Sequence, residues 1–312
     1  MKINTKEKFD HDGYAVLPKF FSSLWIDLAV KRVESIRRER PLDVVVDMLD
    51  TGDRTALGLL SLQDAMTRRM KINDLHLVVP EVRALALNNG IGSILQDLLG
   101  HTPVLCNSLY FEKGSAQPAH VDSLYMTPAT PQHLIAIWVA LEDTHPDAGP
   151  LEYYPGSHLI EQMKFSNGSY HFIPGEMPNW HTYMANQVKQ KGLKITSFAA
   201  KKGDVFVWHS DLLHGGGQIK NPALTRKSLV FHYYSEVDCR SRHETLMPQS
   251  GAFWLKRAPQ KLPASEIVKM PFVEEVYLAR YPDVAAAVKN GSFASGAVHF
   301  DMYGRSEGRI PN

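Results

Sequence analysis

A chain of 312 residues is long enough for one large domain with a well-buried core, or for one such domain plus a small appendage. Apolar residues make up 44% and charged residues 21%, and the formal net charge is +1, so the balance offers no electrostatic footprint for nucleic acid or an anionic membrane surface. The opening MKINTKEKFDHDG has no apolar stretch after its basic residues, no later run is long enough to cross a bilayer, and two cysteines, Cys106 and Cys239, are too few for a disulfide scaffold. The expectation is a soluble cytoplasmic protein, a monomer or weak homo-oligomer acting on a small molecule.

The first hundred residues read mainly as helices. FFSSLWIDLAVKRVESI (20–36) opens on a Ser cap and carries Leu24, Leu28, Val30 and Val33 at near-helical spacing, and PEVRALALNNGIGSILQDLLG (80–100) stops on Gly100. Residues 42–80 between them carry no clear pattern. From about 103 the texture changes to short runs rich in β-branched and aromatic residues: 104–113, 133–143, 151–156, 194–200, 204–210 and 227–235. Strands in this number without intervening helices point to an antiparallel sandwich or jelly roll. A polar and aromatic excursion, 158–193, interrupts them, and an excursion of that length is either functional or mobile. Beyond about 240 the β pattern stops. The division expected is a domain over 1–240, a linker over 241–270 and a small helical module over 271–312.

The strongest local signal for chemistry is AHVDSLYMTP (119–128), in which His120 and Asp122 stand two apart. Alternation on a strand puts such residues on one face, where an imidazole nitrogen and a carboxylate oxygen can reach one ion. His-x-Asp alone is a weak motif. About ninety residues on, DVFVWHSDLLHGGG (204–217) supplies His214 at the mouth of another strand. Two histidines and one carboxylate form the facial triad that leaves three positions open on a non-haem Fe(II). His209 competes for the third place but is expected in the strand body. Arg226, at the start of LTRKSLVFHYYS (224–235), has the planar fork suited to a carboxylate.

These elements, with FDHDGYAVLPKFF (9–21), KINDLH (71–76), IWVALED and AGPLEYYPGSH (148–158), resemble the phytanoyl-CoA dioxygenase family of Fe(II)/2-oxoglutarate oxygenases from about residue 9 to 235. The resemblance implies a mainly β fold, a double-stranded β-helix (jelly roll, cupin-like) with flanking N-terminal helices. It implies iron held by His120, Asp122 and His214, the far carboxylate of 2-oxoglutarate held by Arg226, and O2 as the third reactant. Trp138, eighteen residues after His120, would stand beside the cosubstrate, Leu109 would line the pocket and Lys71 would offer a second cation. The family often has Ser two residues after the distal His, where this chain has Gly216. The C-terminal tail resembles a short module found on assorted bacterial proteins, which implies a bacterial source.

The leading functional reading is an oxygenase that hydroxylates a small metabolite and releases succinate and CO2. Halogenases carry Gly or Ala where Asp122 stands, so halogenation is not expected. The alternative is a non-catalytic cupin-like protein that binds or senses a metal and a 2-oxo acid. Candidates for substrate contact are Asn107, Tyr125 and Tyr153, with Trp180, His181 and Tyr183 from the long excursion.

Overall fold

The computed structural model describes residues 5–311. Its strands in chain order are β1 (Tyr14–Leu17), β2 (Val45–Met48), β3 (Arg54–Ala56), β4 (Met70–Asn73), β5 (Pro103–Phe111), β6 (Leu134–Ala140), β7 (Leu151–Tyr153), β8 (Thr196–Phe198), β9 (Val205–His209), β10 (His214–Gly216), β11 (Ser228–Ser235), β12 (Leu246–Gln249) and β13 (Ala252–Leu255). Each of the six β-type runs read from the sequence holds a strand. Two compact units result; among the described residues one takes in 5–31 and 75–257, the other 32–74 and 258–311.

In the first unit, an antiparallel sheet runs in the order β1, β9, β6, β11, β5. A shorter antiparallel sheet is ordered β10, β7, β8. The arrangement is the expected jelly roll, with helices flanking the main sheet. Alternation along the strands turns Phe206 and Trp208 of β9, Val230 and His232 of β11, and Leu109 and Phe111 of β5 to one side. Two backbone hydrogen bonds between His120 and His214 (2.9 and 3.0 Å) tie the His-x-Asp segment to β10.

Three local readings change. The helix expected over 80–100 is two, Pro80–Ala86 and Asn89–Leu99, because the Asn88 side chain accepts from the Gly90 N–H and starts a new helix. Gly100 does end the second, at φ 75°. In the helix Ser23–Glu39 the buried stripe is Ile26, Ala29, Val33 and Ile36, while Leu24 and Leu28 are exposed. The excursion contains the helix Met177–Gln190.

The stretch expected as a linker is largely built structure. A helix, Glu236–Ser241, is followed by the β12–β13 hairpin, whose second strand pairs parallel with β5. The Arg83 guanidinium lies 4.5 Å over the Trp254 ring. The first unit therefore extends to Arg257, not to 240. In the second unit β2 pairs with β3 and β4, and Val45 and Ala56 share a core with Leu262, Ile267, Met270, Tyr277, Val284 and Phe300. The tail's short helices bury too little apolar surface by themselves, so they fold with residues 32–74. Among the described residues no helix is long and apolar enough to cross a membrane.

Candidate metal centre

His120, Asp122 and His214 offer one ligand atom each, all within 4.8 Å of one another. His120 Nε2 and His214 Nε2 each lie 3.7 Å from Asp122 Oδ1. Asp122 opens a 3-10 turn, and Val121 between it and His120 turns the other way, into an apolar cluster with Leu124, Ile160, Phe165, Trp180, Met184 and Leu213. Chain neighbours of all three candidate ligands thus pack against the 158–193 excursion, which braces the centre from behind.

The protonation states suit a cation. His120 Nδ1 lies 2.9 Å from the Pro118 carbonyl and His214 Nδ1 2.9 Å from that of Leu212. An Nδ1–H donated to each carbonyl leaves the Nε2 lone pairs free, the usual way a protein orients a ligating imidazole. Burial pushes His120 down to about 4, and His214 beside it adds to the effect. Burial alone would raise Asp122, but His214 and His232 more than offset it and hold the carboxyl well below its ordinary range. A neutral imidazole beside a carboxylate is the form that binds a divalent metal.

A cavity of about 60 Å³ opens beside these atoms. Leu109, Trp138 and Arg226 line it, as do Ser115, Gln117 and His232. Arg226 is 3% exposed, its Nε has no hydrogen-bond partner, and burial pulls its guanidinium down to about 10. Its Cζ sits 5.6 Å from the Trp138 ring centroid, and the Trp138 indole N–H is also buried and unpartnered. Both residues line the cavity, and a buried donor without a partner on each suits a neighbourhood that receives an acceptor-rich anion. The donor set and the cavity fit a metal with a carboxylate-bearing cosubstrate.

The chain belongs to the phytanoyl-CoA dioxygenase family. The family model for phytanoyl-CoA dioxygenase matches residues 9–228. A phytanoyl-CoA dioxygenase domain-containing protein 1 homolog from Caenorhabditis elegans is 23% identical over 198 residues, 54% of this chain and 67% of that protein. Among solved structures, the non-heme alpha ketoglutarate dependent epimerase SnoN from nogalamycin biosynthesis superposes with a TM-score of 0.56 at 17% identity, covering 81% of this chain and 97% of that one. EctD from S. alaskensis with bound Fe gives 0.55 at 18%, covering 82% of each.

Other residues read from the sequence fall elsewhere. Lys71 does not line the cavity; its Nζ pairs with Asp47 Oδ2 at 3.1 Å within the second unit. Trp180, turned inward by its helix, is 1% exposed in the apolar cluster. Tyr153 packs on Tyr14 and Phe206, with ring centroids 4.6 and 4.8 Å away. Asn107 faces His232. His181 is exposed, and Tyr183 donates to the Glu161 carbonyl. Tyr125 alone of this group stands by the ligands, half exposed, 5.7 Å from the His120 ring and 5.0 Å from Phe172. His209 ends β9, and its Nδ1 accepts from the Asp211 N–H.

Gly216 has a steric reason. A Cβ there would lie 2.5 Å from Ser115 Oγ and 2.6 Å from the Ala116 nitrogen, so the Ser115 hydroxyl stands where a side chain at 216 would go. The residues that sequence reading missed are Ser115, Trp208 and His232. For His232 a signal existed, since Val230 and His232 alternate along β11 and share a face, a few residues after Arg226.

A second cavity, of about 550 Å³, is walled by Ser123, which follows Asp122 in the chain, and by Asp211, just before the turn into His214. Burial raises the Asp211 carboxyl, with a hydrogen bond from Ser123 opposing. Glu161, Gln162, His158 and Tyr170 also face this space, and no Lys or Arg does among the described residues.

Proposed function

We propose that this chain is an Fe(II)- and 2-oxoglutarate-dependent oxygenase that hydroxylates a small-molecule metabolite. The observation that carries the reading is the buried His120, Asp122 and His214 set opening on a cavity that the buried Arg226 lines. In this reading His120 and His214 present Nε2, Asp122 presents Oδ1, and Arg226 takes the far carboxylate of 2-oxoglutarate with the Trp138 indole alongside. When bound, iron supplies oxidation of a C–H bond, with one atom of O2 going to the product and the other to succinate as CO2 is lost from 2-oxoglutarate.

The larger cavity supports a view of the substrate. With Asp211 and Glu161 in its wall and no Lys or Arg there among the described residues, it favours an uncharged or cationic molecule over one that carries phosphates. A purely binding or sensing role is disfavoured because a metal face with open positions serves turnover. SnoN, described as an epimerase, makes stereoinversion the competing chemistry. The test is succinate release with iron, 2-oxoglutarate, ascorbate and candidate metabolites, followed by product mass. A gain of one oxygen supports hydroxylation, whereas an unchanged mass with inverted configuration refutes it. Asp122→Ala should abolish turnover, and undiminished activity in that variant would defeat the ligand assignment.

A further inference from the structure

Asp122 uses its two oxygens differently. Oδ1 faces the two histidines, while Oδ2 accepts from the Trp208 indole N–H at 2.8 Å and lies 3.4 Å from His232 Nε2. His232 is held in turn, with the Asn107 side-chain Oδ1 3.2 Å from its Nδ1; turning that amide over gives its N–H to Nδ1 and leaves the one proton of a neutral imidazole on Nε2, facing Asp122. Trp208, His232 and Asn107 are all buried, so water does not compete for these contacts. The backbone contributes as well: His232 pairs in register with Asn107, and the β5–β11 register shifts between His232 and Tyr233. Irregularities of this kind re-aim a side chain next to a site.

We propose that Trp208 and His232 are positioning residues that make Asp122 a one-oxygen ligand, and that Asn107 sets the orientation of His232. The inference rests on the metal reading above. A carboxylate free to turn about its Cβ–Cγ bond can offer a metal either oxygen or both. Two N–H donors on Oδ2 occupy that oxygen and fix the plane of the group. Oδ1 alone is then presented, and the position a second oxygen would take stays open for the cosubstrate or O2. Removing these donors frees Asp122 to rotate without removing any ligand.

The experiment is metal titration of the full chain with Fe(II) under anaerobic conditions and with Co(II), whose visible absorption reports coordination. Trp208→Phe deletes one N–H and keeps a ring, His232→Leu deletes the other, and His232→Gln retains an N–H. We expect Trp208→Phe and His232→Leu to weaken metal binding by about 10- to 100-fold and to change the Co(II) spectrum, His232→Gln to recover much of the loss, and the metal-free melting temperature of Trp208→Phe and His232→Gln to stay near that of the parent. Parent-like affinity and spectrum in both Trp208→Phe and His232→Leu would overturn the positioning role while leaving the metal site intact. If His232→Leu does not fold, Trp208→Phe alone decides. A parent chain that takes up neither Fe(II) nor Co(II) would overturn the metal reading itself, and this role with it.

Discussion

Arg226 gives the sharpest test of the cosubstrate site, because the folded chain carries it at a disadvantage. It is 3% exposed, and burial pulls its guanidinium down to about 10. At neutral pH it is charged in both the folded and unfolded chains, so a depression of that size amounts to about 3 kcal/mol of destabilisation. The Trp138 ring, 5.6 Å away, returns about 1 kcal/mol. Replacing Arg226 by Met keeps most of the stem and deletes the charge, and should therefore stabilise the ligand-free protein by about 2 kcal/mol. The melting temperature should rise by roughly 4–8 °C. The response to cosubstrate should move the opposite way. Held at a hundred times its Kd, 2-oxoglutarate should stabilise the metal-loaded parent by about 2.7 kcal/mol and leave Arg226→Met almost unchanged. Urea denaturation with and without 2-oxoglutarate measures both quantities. A variant less stable than the parent when ligand-free, or one that keeps the full cosubstrate increment, would refute the argument.

Other consequences concern steric fit, acid and the second core. Gly216→Ala should lose about 1–3 kcal/mol, because the added Cβ meets the Ala116 backbone as well as the Ser115 side chain; a urea midpoint equal to the parent's would show that the loop gives way freely. Burial holds His76 down to about 3 and His209 to about 4, so below pH 6.5 the unfolded chain binds protons that the folded chain refuses. Stability from these two groups is then complete above pH 6.5 and falls as the pH drops toward 4, by about 1.4 kcal/mol per pH unit each; in chelator, a urea midpoint flat from pH 6.5 to 5 would contradict the sign. Tyr277 is fully buried, with its hydroxyl 3.0 Å from His299 Nδ1, and Tyr277→Ala should destabilise the second unit by about 3–5 kcal/mol, read as early loss of hydrogen-exchange protection in β2 and β3.

What could be read from the sequence was what local chemistry repeats at fixed intervals. The six β-type runs, the stop at Gly100 and the spacing of His120, Asp122, His214 and Arg226 all follow from periodicity and motif order, since alternation and residue type act over a few positions. Tertiary structure decided the rest because it joins residues that no local rule connects. It set Trp208 and His232 on the far oxygen of Asp122, and laid the Ser115 hydroxyl in the space a side chain at 216 would need. It paired Lys71 with Asp47 and buried Trp180. It also returned the C-terminal helices to Val45 and Ala56, because helices so short cannot bury a core alone. A one-residue change of register turns a side chain to the opposite face, and which strand lies beside which is settled only when the sheets close.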